Sequence, residues 1–200
     1  MKLYHGNCNW KPKLYRVQLR SDKDFGAGIY MTEDKRVALK KACYKDASVI
    51  RTYELDMRGL NVKSLALDEE WLFYIMKNRT GNKEGYFAFD DKAYDVVIGV
   101  AVDDKIFTVV EMYGDGLLSL EDVIKVVEKI GYSRQVVIKT VKAAGKLRCL
   151  DIRVFFEEEK KELRRKFEAE AREGHKSMQE ILREINGRNM SDLSKYSKTT

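Results

Sequence analysis

The stretch that decides the fold is Phe25-Gly26-Ala27-Gly28-Ile29-Tyr30-Met31-Thr32. Its apolar and aromatic side chains predict a strand. Its glycines allow a ligand or another backbone to approach closely, because glycine has no Cβ atom. Thr32 is predicted to cap a helix over residues 34–45, and the acidic Glu33 and Asp34 favour the positive end of that helix. We therefore expect a glycine-bearing strand that leads directly into a helix.

Working outward, alternating or β-branched runs predict further strands. They cover residues 2–5 (ending at Gly6), 48–55, 60–67, 94–100, 135–140 and 147–154. Apolar spacing predicts helices from Asp68 and from Ser119, where Ser119 and Asp122 match a capping box and Gly131 ends the helix. Residues 106–113 fit either a strand or a short helix.

The composition changes after Phe156. Residues 157–188 are rich in Glu, Lys and Arg, and their apolar residues recur mainly at spacings of three, four and seven, as in a helix with a narrow apolar stripe. The chain is therefore divided into a domain over 1–154 and a charged helical tail over 155–200 with a disordered end. The tail can fold onto the domain, form a coiled coil or bind a partner. Contact with a small partner protein or a second copy is favoured, because an isolated helix is marginal in water.

Charge, cysteine content and hydropathy limit the partners and metal sites that this chain is expected to have. The net charge is +6, from 38 basic and 32 acidic side chains, which argues only weakly for nucleic acid or anionic lipid. The three cysteines lack zinc-ligand spacing, so no metal site is expected. No apolar run reaches membrane-spanning length and the N-terminus lacks an apolar signal core, which predicts a cytoplasmic protein without a membrane partner.

Three short clusters contain the residues that suit chemistry: Tyr4-His5-Gly6, Gly26–Thr32 and Arg134-Gln135-Val136-Val137. His5 followed by Gly6 places a titratable ring beside backbone that a ligand can reach. Gly26 and Gly28 do the same next to the ring of Tyr30. Taken alone, such a strand is more often structural, and so is a lone histidine.

Together, "LYHG" (3–6), "DFGAGIYMTED" (24–34), "YDVVIG" (94–99) and "SRQVVIKT" (133–140) resemble the ADP-ribosyltransferase superfamily. The resemblance is to the branch marked by a histidine, a tyrosine and a third polar residue, and within it to a bacterial domain-of-unknown-function family often encoded beside a small partner. It runs over about residues 2–153 and does not cover the tail. It implies an α+β fold of split mixed or antiparallel sheets with flanking helices and a cleft between two small sheets.

The resemblance also implies roles for individual residues. His5 is expected to hydrogen-bond the adenosine ribose, the Gly6 backbone to pair with the nicotinamide carboxamide, and Tyr30 to stack on the nicotinamide. Gln135 holds the third-motif position. With His5 and Tyr30 it completes the implied catalytic set. The other implied NAD-binding residues are Gly28, Thr32 and, as a second aromatic wall, Tyr44.

The implied activity is transfer of ADP-ribose from NAD⁺, used as a substrate, to a protein or nucleic-acid acceptor with release of nicotinamide. Because genes of this family often lie beside a gene for a small partner protein, the resemblance also implies a toxin with a small antitoxin. Gln135 departs from the glutamate often found there, because an amide offers a hydrogen bond without a negative charge or a proton acceptor. We expect single-unit transfer, and Glu111 or Glu54 are considered as carboxylates supplied from elsewhere.

Two other functions stay open. One is a catalytically inactive NAD or nucleotide-binding module. The other is an RNA- or DNA-binding protein that uses the basic segment over residues 11–23, which would equally suit a pyrophosphate or an acidic target.

For two further residues, a catalytic role is not favoured. Asp95, in an apolar run, is expected to cap a turn or pair with Lys or Arg, since a buried carboxylate must be paired. Cys8 lies near His5 in the chain but has no third group to orient a nucleophilic pair.

Overall fold

The computed structural model describes residues 1–7, 23–44, 49–80, 90–174 and 178–186. In these residues the chain forms seven strands and seven α-helices. The strands are β1 (Lys2–Asn7), β2 (Ile29–Met31), β3 (Val49–Leu55), β4 (Val62–Ser64), β5 (Val96–Val100), β6 (Arg134–Ile138) and β7 (Leu147–Val154). The helices are α1 (Lys35–Cys43), α2 (Glu69–Thr80), α3 (Asp104–Gly114), α4 (Leu120–Ile130), α5 (Val141–Ala144), α6 (Glu157–Gly174) and α7 (Met178–Asn186).

The strands form two small sheets. The first sheet is antiparallel, with the order β1-β3-β7. The second sheet has the order β2-β6-β5-β4 and is mixed, since β4 and β5 run parallel and the other pairs antiparallel. The prediction of an α+β fold with two small split sheets is confirmed.

The two sheets are joined at their edges by one backbone pair. The Tyr4 N–H donates to the Thr32 carbonyl oxygen at 2.8 Å, and the Thr32 N–H donates to the Tyr4 carbonyl oxygen at 3.1 Å. Both β1 and the strand that leads to Thr32, β2, are edge strands. The pair therefore satisfies backbone groups that a sheet edge would leave open.

Apolar side chains cover both faces of the second sheet. One face packs against the first sheet, with a core that includes Leu3, Tyr53, Val96, Ile98, Val136 and Ile138. The other face packs against α2, α3 and α4, with a core that includes Phe25, Trp71, Val97, Val109, Val126 and Val137. All five residues of β5 are buried, which explains its continuous apolar run. Burial of one such side chain is worth about 1.5–3 kcal/mol.

The decisive stretch folds differently from the predicted continuous strand. Only Ile29–Met31 is a strand, and residues 23–28 turn before it. Gly26 has φ +65°, which favours glycine. The Phe25 N–H donates to the Tyr30 hydroxyl at 3.0 Å, and that hydroxyl donates to the Gly26 carbonyl oxygen at 2.7 Å. The side chain of Tyr30 thus closes the turn, a contact that strand periodicity does not reveal.

Helix boundaries follow the capping chemistry with one correction. The capping box of Ser119 and Asp122 is present and Gly131 ends α4, as predicted. Residues 106–113 lie in α3, which Asp103 caps. The cap of α1 is Asp34, not Thr32, because the Asp34 carboxylate accepts from the Arg36 N–H at 2.7 Å. No helix in the described ranges combines the length and the hydropathy needed to span a membrane.

The tail folds back onto the domain. Phe167 of α6 is buried, and its neighbour Arg164 donates from Nε to the Cys43 carbonyl oxygen, at the end of α1, at 2.5 Å. Ile181 and Leu182 of α7 are buried in the core that includes residues of α4. These described residues of the apolar stripe pack on the domain itself, and contact of the tail with a partner or second copy stays a prediction. The expected disordered end, 189–200, lies outside the described residues.

Asp95 has the structural role that its position predicted. Its carboxylate accepts from the Lys142 ammonium at 2.7 Å, the Thr140 hydroxyl at 2.7 Å and the Asn61 N–H at 2.9 Å. The hydrogen bond from Lys142, followed by the Asn61 N–H, lowers the pKa of Asp95 to about 2. The carboxylate ties the starts of β4, β5 and α5 together.

Replacement of Asp95 by alanine is expected to lower the free energy of unfolding at pH 7 by about 1–3 kcal/mol, because three donors lose their acceptor. The contribution of Asp95 is complete above the ordinary aspartate pKa of about 4 and is lost as the pH falls through its folded-state pKa. Urea unfolding of parent and Asp95→Ala from pH 7 to pH 2 measures both effects. The exposed carboxylate variant Glu33→Ala is the control, and a difference that does not shrink below pH 4 would contradict the assignment.

Candidate functional site

A cleft of about 350 Å³ is lined by residues of both sheets. The first sheet contributes β1, and the second contributes β2, its preceding turn and β6. Helices α1 and α2 add charged side chains. The described residues that line it are His5, Gly6, Lys23, Asp24, Gly28, Ile29, Tyr30, Lys41, Arg79, Val102 and Gln135.

The cleft brings together His5, Gly6, Gly28, Tyr30 and Gln135 of the predicted site. These residues come from three strands and the turn before β2, in widely separated parts of the chain. The fold therefore brings residues of all three sequence clusters to one cleft.

Thr32 and Tyr44 lie outside the cleft. The Thr32 hydroxyl donates to the Arg134 carbonyl oxygen at 3.2 Å and accepts from the Asp34 N–H at 3.1 Å. Thr32 therefore holds β2, β6 and the start of α1 in place. Tyr44 is 50% exposed at the end of α1, with the Arg164 guanidinium 5.9 Å from its ring centroid. It faces the tail and forms no second aromatic wall of this cleft.

Packing alone explains two of the glycines that line the cleft. A Cβ atom at Gly6 would lie 2.1 Å from the Ala38 carbonyl oxygen of α1. A Cβ atom at Gly28 would lie 2.4 Å from Val137 Cγ1 and 2.9 Å from the Ile138 carbonyl oxygen. Both positions need glycine whether or not a ligand binds, so the glycines by themselves are weak evidence of function.

His5 is held as a neutral ring. Burial lowers its pKa from the ordinary value, the hydrogen bond to the Tyr30 carbonyl opposes that shift, and the charges of Lys41 and Arg51 lower the pKa further. Nδ1 lies 2.8 Å from the Tyr30 carbonyl oxygen, which can only accept. The proton of the neutral ring is therefore assigned to Nδ1, and Nε2 is a hydrogen-bond acceptor.

Gln135 presents a buried amide whose oxygen is unsatisfied. The residue is 8% exposed, and no described group donates a hydrogen bond to its Oε1. Gln135 lies on β6 opposite Gly99 of β5. A buried acceptor without a donor costs about 1–3 kcal/mol, so this amide lowers the stability of the fold.

Sequence analysis missed the ion pair of Asp24 and Arg79, two residues that line the cleft. Arg79 Nε donates to Asp24 Oδ1 at 2.6 Å, and the Val102 N–H donates to Asp24 Oδ2 at 3.0 Å. The Arg79 guanidinium also donates to the Val102 carbonyl oxygen at 2.9 Å and lies 4.9 Å from the Phe107 ring centroid. These residues are distant in the chain, so no local pattern predicts their contact. The one indication in the sequence was that Asp24 is the first residue of the motif over 24–34.

The cleft favours an anionic ligand. Its described lining has three cations, Lys23, Lys41 and Arg79, and one carboxylate, Asp24, which Arg79 already pairs. Desolvation lowers the pKa of Lys41, against the charge of Asp24, which raises it. Such a surplus of positive charge in a concave site attracts phosphate or carboxylate groups.

Neither carboxylate considered as a substitute for the third-motif glutamate reaches the cleft. Glu54 is exposed on β3 and pairs with Arg148 at 2.5 Å. Glu111 is exposed on α3. Asp24 is the acidic side chain among the described lining residues, and its carboxylate already pairs with Arg79.

The fold and the site define an α+β protein with a cationic cleft that residues of both small sheets line. Residues 1–149 match the model of the family described as "Protein of unknown function (DUF3990)", and the chain belongs to this family. No curated protein matches the chain, and no solved structure does.

The imidazole of His5 is expected to titrate below the ordinary histidine pKa of about 6.5 and to carry its proton on Nδ1 when neutral. Long-range ¹H–¹⁵N NMR spectra recorded against pH measure both, with His5→Asn identifying the signal. Titration at or above the ordinary value, or a proton on Nε2 in the neutral ring, would show that Nε2 of His5 is not a hydrogen-bond acceptor.

Proposed function

We propose that the protein is an NAD-dependent mono-ADP-ribosyltransferase that transfers ADP-ribose to a protein or nucleic-acid acceptor and releases nicotinamide. The observation that carries the proposal is the convergence of His5, Tyr30 and Gln135 on one cleft. These are the residues to which the resemblance assigns catalysis. A cleft of about 350 Å³ is also within the usual range for small-molecule sites.

The backbone of β1 supports the role proposed for Gly6. Tyr4 pairs through both of its backbone groups with Thr32, on the side of β1 away from β3. In an antiparallel ladder the direction of these groups repeats every two residues, so the Gly6 N–H and carbonyl point to that same side. They suit a carboxamide, which needs one donor and one acceptor.

The side chains support the other contacts. His5 Nε2, as an acceptor, suits a ribose hydroxyl. The Tyr30 ring is fixed by two hydrogen bonds of its hydroxyl, so it offers a rigid aromatic surface to the cationic nicotinamide. Stacking and cation–π attraction of this kind contribute about 0.5–2 kcal/mol.

In the proposed reaction, the bond between ribose C1′ and the nicotinamide nitrogen breaks, and its electron pair neutralises the pyridinium ring. The sugar passes through an oxocarbenium-like state, which nearby acceptor atoms stabilise. A lone pair of the acceptor then forms the new bond to C1′, and the acceptor's proton passes to solvent. Gln135 supplies an amide oxygen near this charge but cannot take the proton, which favours transfer of a single unit to a nucleophilic acceptor.

A second function, nucleotide binding without transfer, is favoured by the absence of an unpaired carboxylate among the described lining residues. The basic segment considered for nucleic acid lies outside the described residues, apart from Lys23. The toxin–antitoxin role stays a prediction from the resemblance.

Tyr30→Ala is expected to weaken NAD⁺ binding by about 2- to 30-fold through loss of the stacking surface. Nicotinamide release and labelling of a cell lysate from labelled NAD⁺ should fall with it. Tyr132→Ala, at a half-exposed tyrosine outside the cleft, is the matched control. The labelled fraction, protein or nucleic acid, identifies the acceptor class. Absence of nicotinamide release by the parent with intact NAD⁺ binding would favour the second function.

Gln135→Ala is expected to lower kcat by about tenfold or more while changing the NAD⁺ dissociation constant little, because the amide oxygen acts mainly on the developing sugar charge. Gln135→Glu is expected to raise kcat above the parent value, since it adds negative charge. Steady-state kinetics and calorimetry separate the two parameters. Equal kinetics for parent and Gln135→Ala would remove Gln135 from the catalytic set.

A further inference from the structure

Arg51 is the strand neighbour of His5, a residue that lines the cleft. It occupies β3 directly opposite His5 of β1 and Ile152 of β7. Directly opposite residues share one face of an antiparallel sheet, so these three side chains form a row across the first sheet. Since Leu3 and Tyr53 form the adjacent row and belong to the core between the sheets, this face is directed towards the second sheet.

The guanidinium of Arg51 has one buried nitrogen without a hydrogen-bond partner in the described chain. The residue is 8% exposed, and this nitrogen is Nη1. No ion pair of Arg51 occurs among the described residues. A buried charge normally has a partner, because desolvation of an unpaired ion is costly.

A second unsatisfied group lies beside Arg51. The Tyr53 hydroxyl is buried and has no hydrogen-bond partner in the described chain. Tyr53 lies two residues from Arg51 on β3, so both side chains are on the face of the sheet that His5 shares. The positive charge of Arg51 acts to lower the pKa values of both Tyr53 and His5. Two unsatisfied polar groups therefore lie on the same face of the first sheet as His5, which lines the cationic cleft.

We propose that Arg51 and Tyr53 form an anion subsite on the face of the first sheet that they share with His5, and that it takes phosphate groups of a nucleotide. A phosphate presents several acceptor oxygens and a negative charge, which match a guanidinium fork and a hydroxyl donor. Lys41, a cleft-lining cation, adds long-range attraction for the same charge. Under the proposed function, on which this assignment of the ligand rests, the anion is the diphosphate of NAD⁺.

The test compares ligands that differ in phosphate alone. ADP, adenosine and inorganic pyrophosphate are titrated by calorimetry, and melting temperatures are recorded with and without each ligand. The parent is expected to bind ADP about tenfold or more tightly than adenosine and to melt higher in pyrophosphate, because charge-assisted hydrogen bonds form only with phosphate. An ADP preference below twofold in the parent would overturn the subsite.

Arg51→Gln is expected to bring the ADP and adenosine affinities within about twofold of each other while leaving adenosine binding unchanged. Arg148→Gln is the matched control, because it removes an equal charge from an exposed pair with Glu54 on the same sheet. It should keep the full preference for ADP. An equal loss of preference in both variants would assign the effect to net charge and overturn the proposal.

Ligand-free stability separates a binding role from a structural one. Removal of an unpaired buried charge should leave the melting temperature of Arg51→Gln at or above that of the parent. A clear fall, or failure to fold, would show that Arg51 is structural and would overturn the proposal. Tyr53→Phe keeps the buried ring and should lose about 2- to 10-fold of ADP affinity at unchanged ligand-free stability. Unchanged ADP affinity would remove Tyr53 from the subsite.

The two proposals fail in different ways. Nicotinamide release with an ADP preference that Arg51→Gln does not change would leave the transferase and overturn the subsite. An Arg51-dependent ADP preference without nicotinamide release would support the subsite and remove the transferase.

Discussion

The structure depends on the backbone pair between Tyr4 and Thr32. Two hydrogen bonds, of 2.8 and 3.1 Å, join an edge strand of the first sheet to the end of β2 at the edge of the second. The next residue along β1, His5, then bonds the Tyr30 carbonyl oxygen, so the junction continues as a side-chain contact. Because the sheets meet at this corner, the residues just beyond it face each other across a gap that neither sheet fills.

That gap combines rigidity with unmet polar groups. Gly6 and Gly28 are pressed against neighbouring backbone, and the Tyr30 hydroxyl is bonded twice, so the walls have little freedom. By contrast, Gln135 Oε1, on one sheet, and Arg51 Nη1, on the other, are buried without partners in the described chain. Elsewhere a carboxylate such as Asp95 has three donors. Unsatisfied buried polar groups of this kind are common at functional sites.

The elements with strong local signals were predicted well. The capping box at Ser119, the end of α4 at Gly131 and the strand Leu147–Val154 follow from residue type and spacing over a few positions. Errors arose where a distant or side-chain contact outweighed the local pattern. The Tyr30 hydroxyl turns residues 25–28 out of the predicted strand, and Thr32 bonds β6 instead of capping α1. The apolar spacing of the tail predicted a helix, but only the structure shows that α6 packs on α1 and α7 on α4.

The sequence by itself determined the type of most elements and the structural role of Asp95. It also singled out His5, Tyr30 and Gln135, which the structure brings to one cleft. Only the tertiary structure decided that Tyr44 faces the tail and that Asp24 pairs with Arg79. It also decided that Arg51 lies opposite His5 in the first sheet. The physical reason is one of range. Propensity and capping act within a few residues, whereas these contacts join residues dozens of positions apart and depend on strand register and on how the two sheets meet.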